Sequence, residues 1–425
     1  MVKSLALKVQ DISFESGERL PLLVDTATGI PDFESTQYIL TQQRPRNLSA
    51  STLRSITRAI MFGYQVLEVM GVDIDERITN RALFTLEELD QLANYFRQTQ
   101  EILRARLRKS SQKSSVVRIR KSRRGLHEQT ETVAGDSAAI RLIYFKGFVD
   151  WKVKKFLLGN AAKEGADTLW KALQSFAEGI EVRAPKKSRK SDLELPEGMS
   201  KEEVQVLLEL IDPTSHSNPW KSAAIKTRNK LVVNLLLATG MRKGELLGIK
   251  VHDIDFKANE ITVHRRADDA EDTRVIQPNA KTRARVLKIS PQLAREVHQY
   301  LTKHREGAQR ARRHPFLLVS NGTGNPLSIS ALDKVFSDLL VASSGRISKL
   351  SPHLLRHTWN DRFSELMDEK GVEENKELDA RSYQMGWKPG SGTAKTYTRR
   401  HIRKRANDAS LALQSLITGN KNYEK

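Results

Sequence analysis

The chain reads as an α-rich, multidomain protein with a helical block over 48–182, a linker over 183–198, and a mixed, mainly α domain with a small antiparallel sheet over 199–425. Three observations predict this. Apolar residues recur at helical spacing through the first block. The segment RAPKKSRKSDLELPEG, 183–198, is polar and basic with a proline near each end, the composition of a linker. Beyond it, helical patterns flank two short strand-like runs, ITVHRR and RVLKIS.

The elements follow in order. Within residues 1–47, LALKVQDISF alternates like a strand, and LPLLVDTATGIPDF, with its prolines and turn residues, reads as loop. No role follows from the composition of this segment. Ser49 and Ser51 are candidate caps for a helix ending near Met70, with Leu53, Ile56, Ile60, Tyr64 and Leu67 on one stripe and Gly71 as its stop. Thr85 caps a second helix predicted to reach about Leu107, Asp136 or Ser137 a third, and a shorter helix lies near 166–180. In the second domain, SKEEVQVLLELI is a capped amphipathic helix with acids in its first turn. KTRNKLVVNLLLATG reads as a buried helix ending at Gly240, FLLVS as a short strand, and the chain from about 329 to Ile417 as helical.

Composition narrows the function. Lys and Arg number 71 against 51 Asp and Glu, a formal net charge of +20 in 425 residues, which points to a polyanion such as nucleic acid. Cysteine is absent, so neither a disulfide framework nor a thiolate metal site is available. No signal peptide or membrane-spanning run is read, and the expectation is a soluble intracellular protein. A basic run from Arg104 to Arg124 includes Arg118, Arg120, Lys121, Arg123 and Arg124. It reads either as a set of phosphate contacts or as a solvated insert.

Chemistry concentrates in four local motifs. ATGMRKGELLG places Arg242 just past a helix end, with Glu245 in the restarting helix; the arginine can fork onto a phosphate or pair with Glu245. NAKTRARVLKIS offers Lys281, Arg283 and Arg285 on a hairpin; a lysine there can protonate a leaving oxygen, or all three can be ordinary DNA-facing cations. SPHLLRHTWNDRF puts His353 and Arg356 three residues apart on one helix face, with His357 one residue round. GWKPGSGTAKTYTRR carries Trp387 and Tyr397 on either side of a Pro/Gly turn. A positioned hydroxyl preceded by cations and a histidine suits attack on a phosphodiester. That transition state needs a nucleophile, charge stabilisation on the non-bridging oxygens and a proton for the leaving oxygen.

Through TGMRKGEL, the Lys281 hairpin, HLLRHT and MGW…TAKTY, taken in that order, the chain resembles the tyrosine recombinase (phage integrase) family over about 200–410. The block 48–182 resembles that family's core DNA-binding domain by position and composition. The resemblance implies a tyrosine recombinase fold and a site-specific recombinase that works through a 3′-phosphotyrosine. Tyr397 would be the nucleophile and Lys281 the acid. Arg242 and Arg356 would stabilise charge, His353 would assist, and Glu245 and His357 would support them. Trp387 stands where many members have histidine, so it would pack and offer one N–H. Duplex DNA is the implied partner, bound by a homotetramer on two sites with accessory DNA-bending proteins. No cofactor, metal or membrane is implied, and the expected location is the bacterial cytoplasm, at the nucleoid. Two rival readings share these residues: a DNA-binding regulator with a decayed site, and a type IB topoisomerase-like enzyme.

Overall fold

The computed structural model describes residues 6–111, 131–160, 165–186, 197–278, 282–388, 406–407 and 409–415. The chain divides into two compact units, Met1–Phe14 with Arg19–Arg189, and Glu15–Glu18 with Lys190–Lys425. No helix among the described residues is long and apolar enough to cross a membrane.

The first unit begins with an antiparallel hairpin, β1 (Leu7–Ser13) and β2 (Arg19–Asp25), with Leu7 opposite Asp25. The run LPLLVD, expected as loop, is therefore strand throughout. Leu20, Leu22, Leu23 and Val24 are all buried. Pro21 is tolerated because, among the described residues, β1 is the one strand paired with β2 and the bridge on its other edge is at Val24, so no second ladder needs the missing N–H of Pro21. Arg54 clamps the hairpin with a forked bond to Asp11, 2.6 Å at the shortest. After α1 (Phe33–Tyr38) comes α2 (Ala50–Met70), capped by Ser49 and stopped by a left-handed Gly71. Of its predicted stripe, Leu53, Ile56, Ile60 and Leu67 are buried and Tyr64 is partly buried.

A short α3 (Ile74–Thr79) leads to α4 (Leu86–Phe96), which opens with a full capping box between Thr85 and Glu88. The single helix expected from Thr85 to about Leu107 is two. The chain breaks at 97–99 before α5 (Gln100–Ser111), because backbone groups there bond outward: Val133 N–H donates to the Arg97 carbonyl at 2.8 Å and Thr99 N–H to the Glu131 carbonyl at 3.3 Å. The long α6 (Gly135–Asn160) and α7 (Ala166–Arg183) complete the unit. The α6 side chains Leu142, Phe145, Phe148, Val149 and Val153 fill its core.

The second unit opens on α8 (Lys201–Ile211), with the predicted cap realised as a Ser200–Glu203 box, and continues through the buried α9 (Ala223–Thr239) and short α10 (Lys243–Leu247). Three short strands, β3 (Ile254–Asp255), β4 (Glu260–Val263) and β5 (Arg285–Lys288), pair antiparallel in the order β3-β4-β5. Val263 lies opposite Arg285. Helices α11 (Pro291–Tyr300), α12 (Ile329–Ala342), α13 (Pro352–Glu369) and α14 (Glu374–Met385) follow. The predicted FLLVS strand is only a pair of isolated bridges. Its backbone groups are divided among partners: Leu317 N–H goes to the Ile249 carbonyl, and Val319 N–H to the Tyr300 hydroxyl. No continuous ladder remains. The described part of 406–415 is helical, with Leu411 and Leu413 exposed; Leu416 lies outside the described residues.

Candidate active site

Three chain segments meet at one corner of the second unit. The first is the break between α9 and α10. Gly240 ends α9 in the left-handed region at φ +62°, and a Cβ there would stand 2.8–2.9 Å from Met385 and Trp359. The tight turn buries Met241 and leaves Arg242 at the head of α10, its side chain about one-third exposed. Glu245, one turn on, is fully buried and reaches back to the Arg242 backbone N–H at 2.9 Å and to its Nη1 at 3.4 Å. Of the two sequence readings for Arg242, pairing with Glu245 is present, and the exposed face of the guanidinium remains available to a ligand.

The second segment is α13, capped by Ser351 and started by Pro352. One helical turn separates an exposed His353 from a buried Arg356. Arg356 donates from Nη1 to the Gly240 carbonyl at 2.7 Å and from Nη2 to the Met385 carbonyl at 3.3 Å. Its guanidinium carbon stands 5.4 Å from the Trp387 ring centroid, a cation–π contact. His357 lies inward, its ring edge-on to that of His353 at 4.5 Å between centroids. Partial desolvation, then the positive charges of Arg356 and Arg242, hold the His353 pKa below its ordinary value. Both guanidiniums therefore act on one imidazole, which is neutral near pH 7. That combination can hold an anionic oxygen and exchange one proton.

The third segment is the end of α14, a left-handed cap at Gly386 followed by the buried Trp387. Its last carbonyls take donors from elsewhere: Gln384 from Arg285, Met385 from Arg356, and Gly386 from the backbone N–H of Arg283 at 3.1 Å. Helix C-termini carry partial negative charge, so cations suit this position.

Arg285 corrects an expectation. It was read as a DNA contact, but its side chain is about 1% exposed and pairs with Glu245 at 2.8 Å. The cause is the strand's alternation: Arg285 and Leu287 face inward, whereas Val286 and Lys288 face out. Thr282, which had no assigned part, donates its hydroxyl to Glu245. Burial pushes the Glu245 carboxyl up, but Arg285, Thr282 and the Arg242 N–H outweigh it and hold the pKa below the usual carboxylate value. Arg283 is exposed, as a DNA-facing cation would be. The strand alternation was the one signal that could have placed Arg285 inward. Nothing local marks Thr282.

Lys281, Tyr397 and the basic residues Arg118, Arg120, Lys121, Arg123 and Arg124 lie outside the described residues. Among the described residues, no group of three His, Asp or Glu is arranged to hold a metal ion.

The Phage integrase family model matches residues 197–402, which include every motif at this corner. Residues 197–402 thus form a domain of that family, the tyrosine recombinases. It is 27% identical over 180 residues to the tyrosine recombinase XerC of Staphylococcus aureus (strain USA300), covering 42% of this chain and 50% of the relative. The chain thus spans about half the length of the curated relatives it matches. Among solved structures it is similar to the Tn1549 transposon integrase in complex with transposon right end DNA, with TM-score 0.45 and 16% identity, covering 89% of this chain and 99% of that one. A second is XerH site-specific recombinase in a post-cleavage complex with palindromic difH substrate, with TM-score 0.41 and 16% identity, covering 84% and 96%.

Proposed function

We propose that this protein is a site-specific DNA recombinase that cleaves and rejoins duplex DNA through a 3′-phosphotyrosine. The observation that carries the reading is the meeting of the Arg242, Arg356 and Trp387 segments, where Arg356 donates to the Gly240 and Met385 carbonyls and packs on Trp387. Two fixed cations and a neutral imidazole form a site for a phosphate that gains negative charge in the transition state.

In this mechanism the Tyr397 hydroxyl oxygen attacks the scissile phosphorus. The P–O5′ bond breaks as the P–O(Tyr) bond forms, and Lys281 gives a proton to the departing 5′ oxygen. The phenolic proton is taken up by a base, for which the neutral His353 is the candidate. Arg242 and Arg356 hold the non-bridging oxygens throughout. The ester between protein and DNA keeps the bond energy, and a 5′-hydroxyl from a second strand reverses the step on a new partner. Trp387 walls the phosphate pocket, packed on Arg356. The helical unit and the run 118–124 would contact the DNA backbone. Assembly as a tetramer on two sites, assisted by DNA-bending proteins, would pair the strands to be exchanged. Mobilisation or integration of a genetic element is the role this chemistry serves.

The test is a nicked suicide duplex carrying the recognition sequence, incubated in excess EDTA without nucleotide. A protein-linked product attached at Tyr397, absent in Tyr397→Phe while DNA binding persists, is the expected result. Binding with no adduct from the wild type would favour the decayed regulator. Adducts with relaxation of a single unmatched plasmid, and no joining of sites, would favour the topoisomerase. Adducts surviving in Tyr397→Phe would move the nucleophile elsewhere, with the exposed Tyr383 the first to test.

A further inference from the structure

We infer that Arg285 is a positioning residue that ties residues 282–285, at the start of β5, to the Arg242–Glu245 segment and to the end of α14, so that these three are held in register. This rests on the strand-transfer reading above. The guanidinium is almost wholly buried, and its donors divide among the segments. Nη2 bonds Glu245 at 2.8 Å, Nε bonds the Gln384 carbonyl at 2.7 Å, and Nη1 lies 3.4 Å from the Thr282 hydroxyl. Glu245 in turn holds the Arg242 backbone and side chain. The Gln384 carbonyl is next to the Met385 carbonyl that receives Arg356. One side chain therefore stands one residue or one bond away from each phosphate-binding arginine.

Two features make the joint specific to arginine. The bonds to Glu245 and Gln384 leave the planar group in divergent directions, which a single lysine ammonium cannot reproduce. The room for it comes from Gly386, where a Cβ would stand 2.8 Å from Arg285 Nη1 and 2.9 Å from Thr282 Cβ. Gly386 sits at φ +64°, a left-handed conformation in which the missing side chain costs least. The backbone bond from Arg283 N–H to the Gly386 carbonyl runs beside the same joint. With its donors committed to Glu245, Gln384 and Thr282, Arg285 acts through geometry and not through contact with the phosphate.

The experiment compares wild type, Arg285→Lys, Arg285→Gln and the double variant Arg285→Gln/Glu245→Gln. Cleavage of a saturating suicide substrate should fall on the order of 100-fold in Arg285→Lys, the cost of a small misplacement of catalytic groups. DNA affinity should stay within about twofold, since no phosphate contact is lost. In Arg285→Gln, burial of Glu245 loses the main cation that opposes it, so its carboxyl protonates at higher pH. Cleavage should then be lost on the acid side at a pH where the wild type still works. The double variant leaves no buried charge alone, so it should fold and yet remain slow. Hydrogen exchange gives a readout independent of activity: peptides spanning 282–288 and 380–388 should lose protection together in Arg285→Lys, with α9 unchanged.

Wild-type cleavage by Arg285→Lys, or recovery of wild-type cleavage in the double variant, would overturn the inference. So would a loss of affinity that matches the loss of cleavage, which would make Arg285 a DNA contact. Unchanged exchange at both peptides would overturn it as well. If the wild type itself forms no adduct, the strand-transfer reading fails. The exchange arm then still decides whether Arg285 joins the segments.

Discussion

The cores of the two units are built from different materials. In the first, aromatic rings meet edge to face: Phe62 with Phe96 at 5.2 Å, Tyr38 with Phe148 at 5.4 Å, and Phe96 tilted on Phe145 at 5.4 Å. Its buried charges are few, chiefly Arg19, Arg54 and Lys152. In the second, the apolar cluster is mostly Leu, Val and Ile, and buried charges are frequent: Arg228, Glu245, Arg274, Arg285, Arg356, Glu377 and Arg381 among them. Apolar packing is the cheaper way to stability, because a buried ion pair seldom gains more than its desolvation costs. What buried pairs supply is direction. A carboxylate with four donors around it fixes those donors, whereas a leucine cluster tolerates repacking. The unit that carries the site is the one built with fixed directions.

The largest expected effect separates two arginines within that unit. Arg242→Ala and Arg356→Ala should each lower the cleavage rate by about 10²–10³, the usual size of a lost preorganised donor. Their stabilities should differ. Arg242 is partly exposed, so its loss should leave the unfolding midpoint nearly unchanged. Removing Arg356 leaves two buried carbonyls without their donor, a cost of about 1–3 kcal/mol in urea unfolding. Equal stability losses would break the distinction between a partly exposed cation and one bound into the framework.

Lys281→Ala should lower cleavage by about 10²–10⁴, as expected for a general acid. A 5′-bridging phosphorothiolate substrate should restore it, because sulfur leaves without a proton. Rescue in Arg283→Ala instead would transfer the acid role to Arg283.

Phe145→Ala tests the other half of the comparison. It removes a ring from the aromatic core and should cost about 3–5 kcal/mol in the first unit, read as lost exchange protection in α2 and α6. Protection in α9 and α13 should hold. Equal loss in both units would mean that the chain unfolds as a single body.

The smallest effect is a pH shift. His353 titrates below its ordinary value, so the unfolded chain binds its proton more readily than the folded one. Its contribution to stability is full above the ordinary histidine value and falls away as pH drops toward the lowered one. Arg242→Ala removes one of the depressing charges and should move the His353 titration upward, read from its ring protons by NMR. An unmoved titration would place Arg242 outside the electrostatic reach of the imidazole.

Much of this architecture is legible locally. Ser49, Thr85 and Ser200 each cap the helix they were expected to cap, since a cap depends on only three or four following residues. The helical stripe of α2, the stop at Gly240 and the spacing of His353 and Arg356 depend equally on short range. So does the order of the motifs, which was enough to suggest the family. Non-local partners decided the rest. LPLLVD became a strand because β1 and α2 cover it, despite its proline. The expected helix from Thr85 broke because residues 131–133 took its backbone groups. Arg285 looked like any basic residue on a hairpin, yet it is buried. Its partners are 40 residues away at Glu245 and 99 away at Gln384. A charged side chain has no local preference that tells solvent from a buried counter-ion. Which of the two it finds depends on what the rest of the chain folds against it.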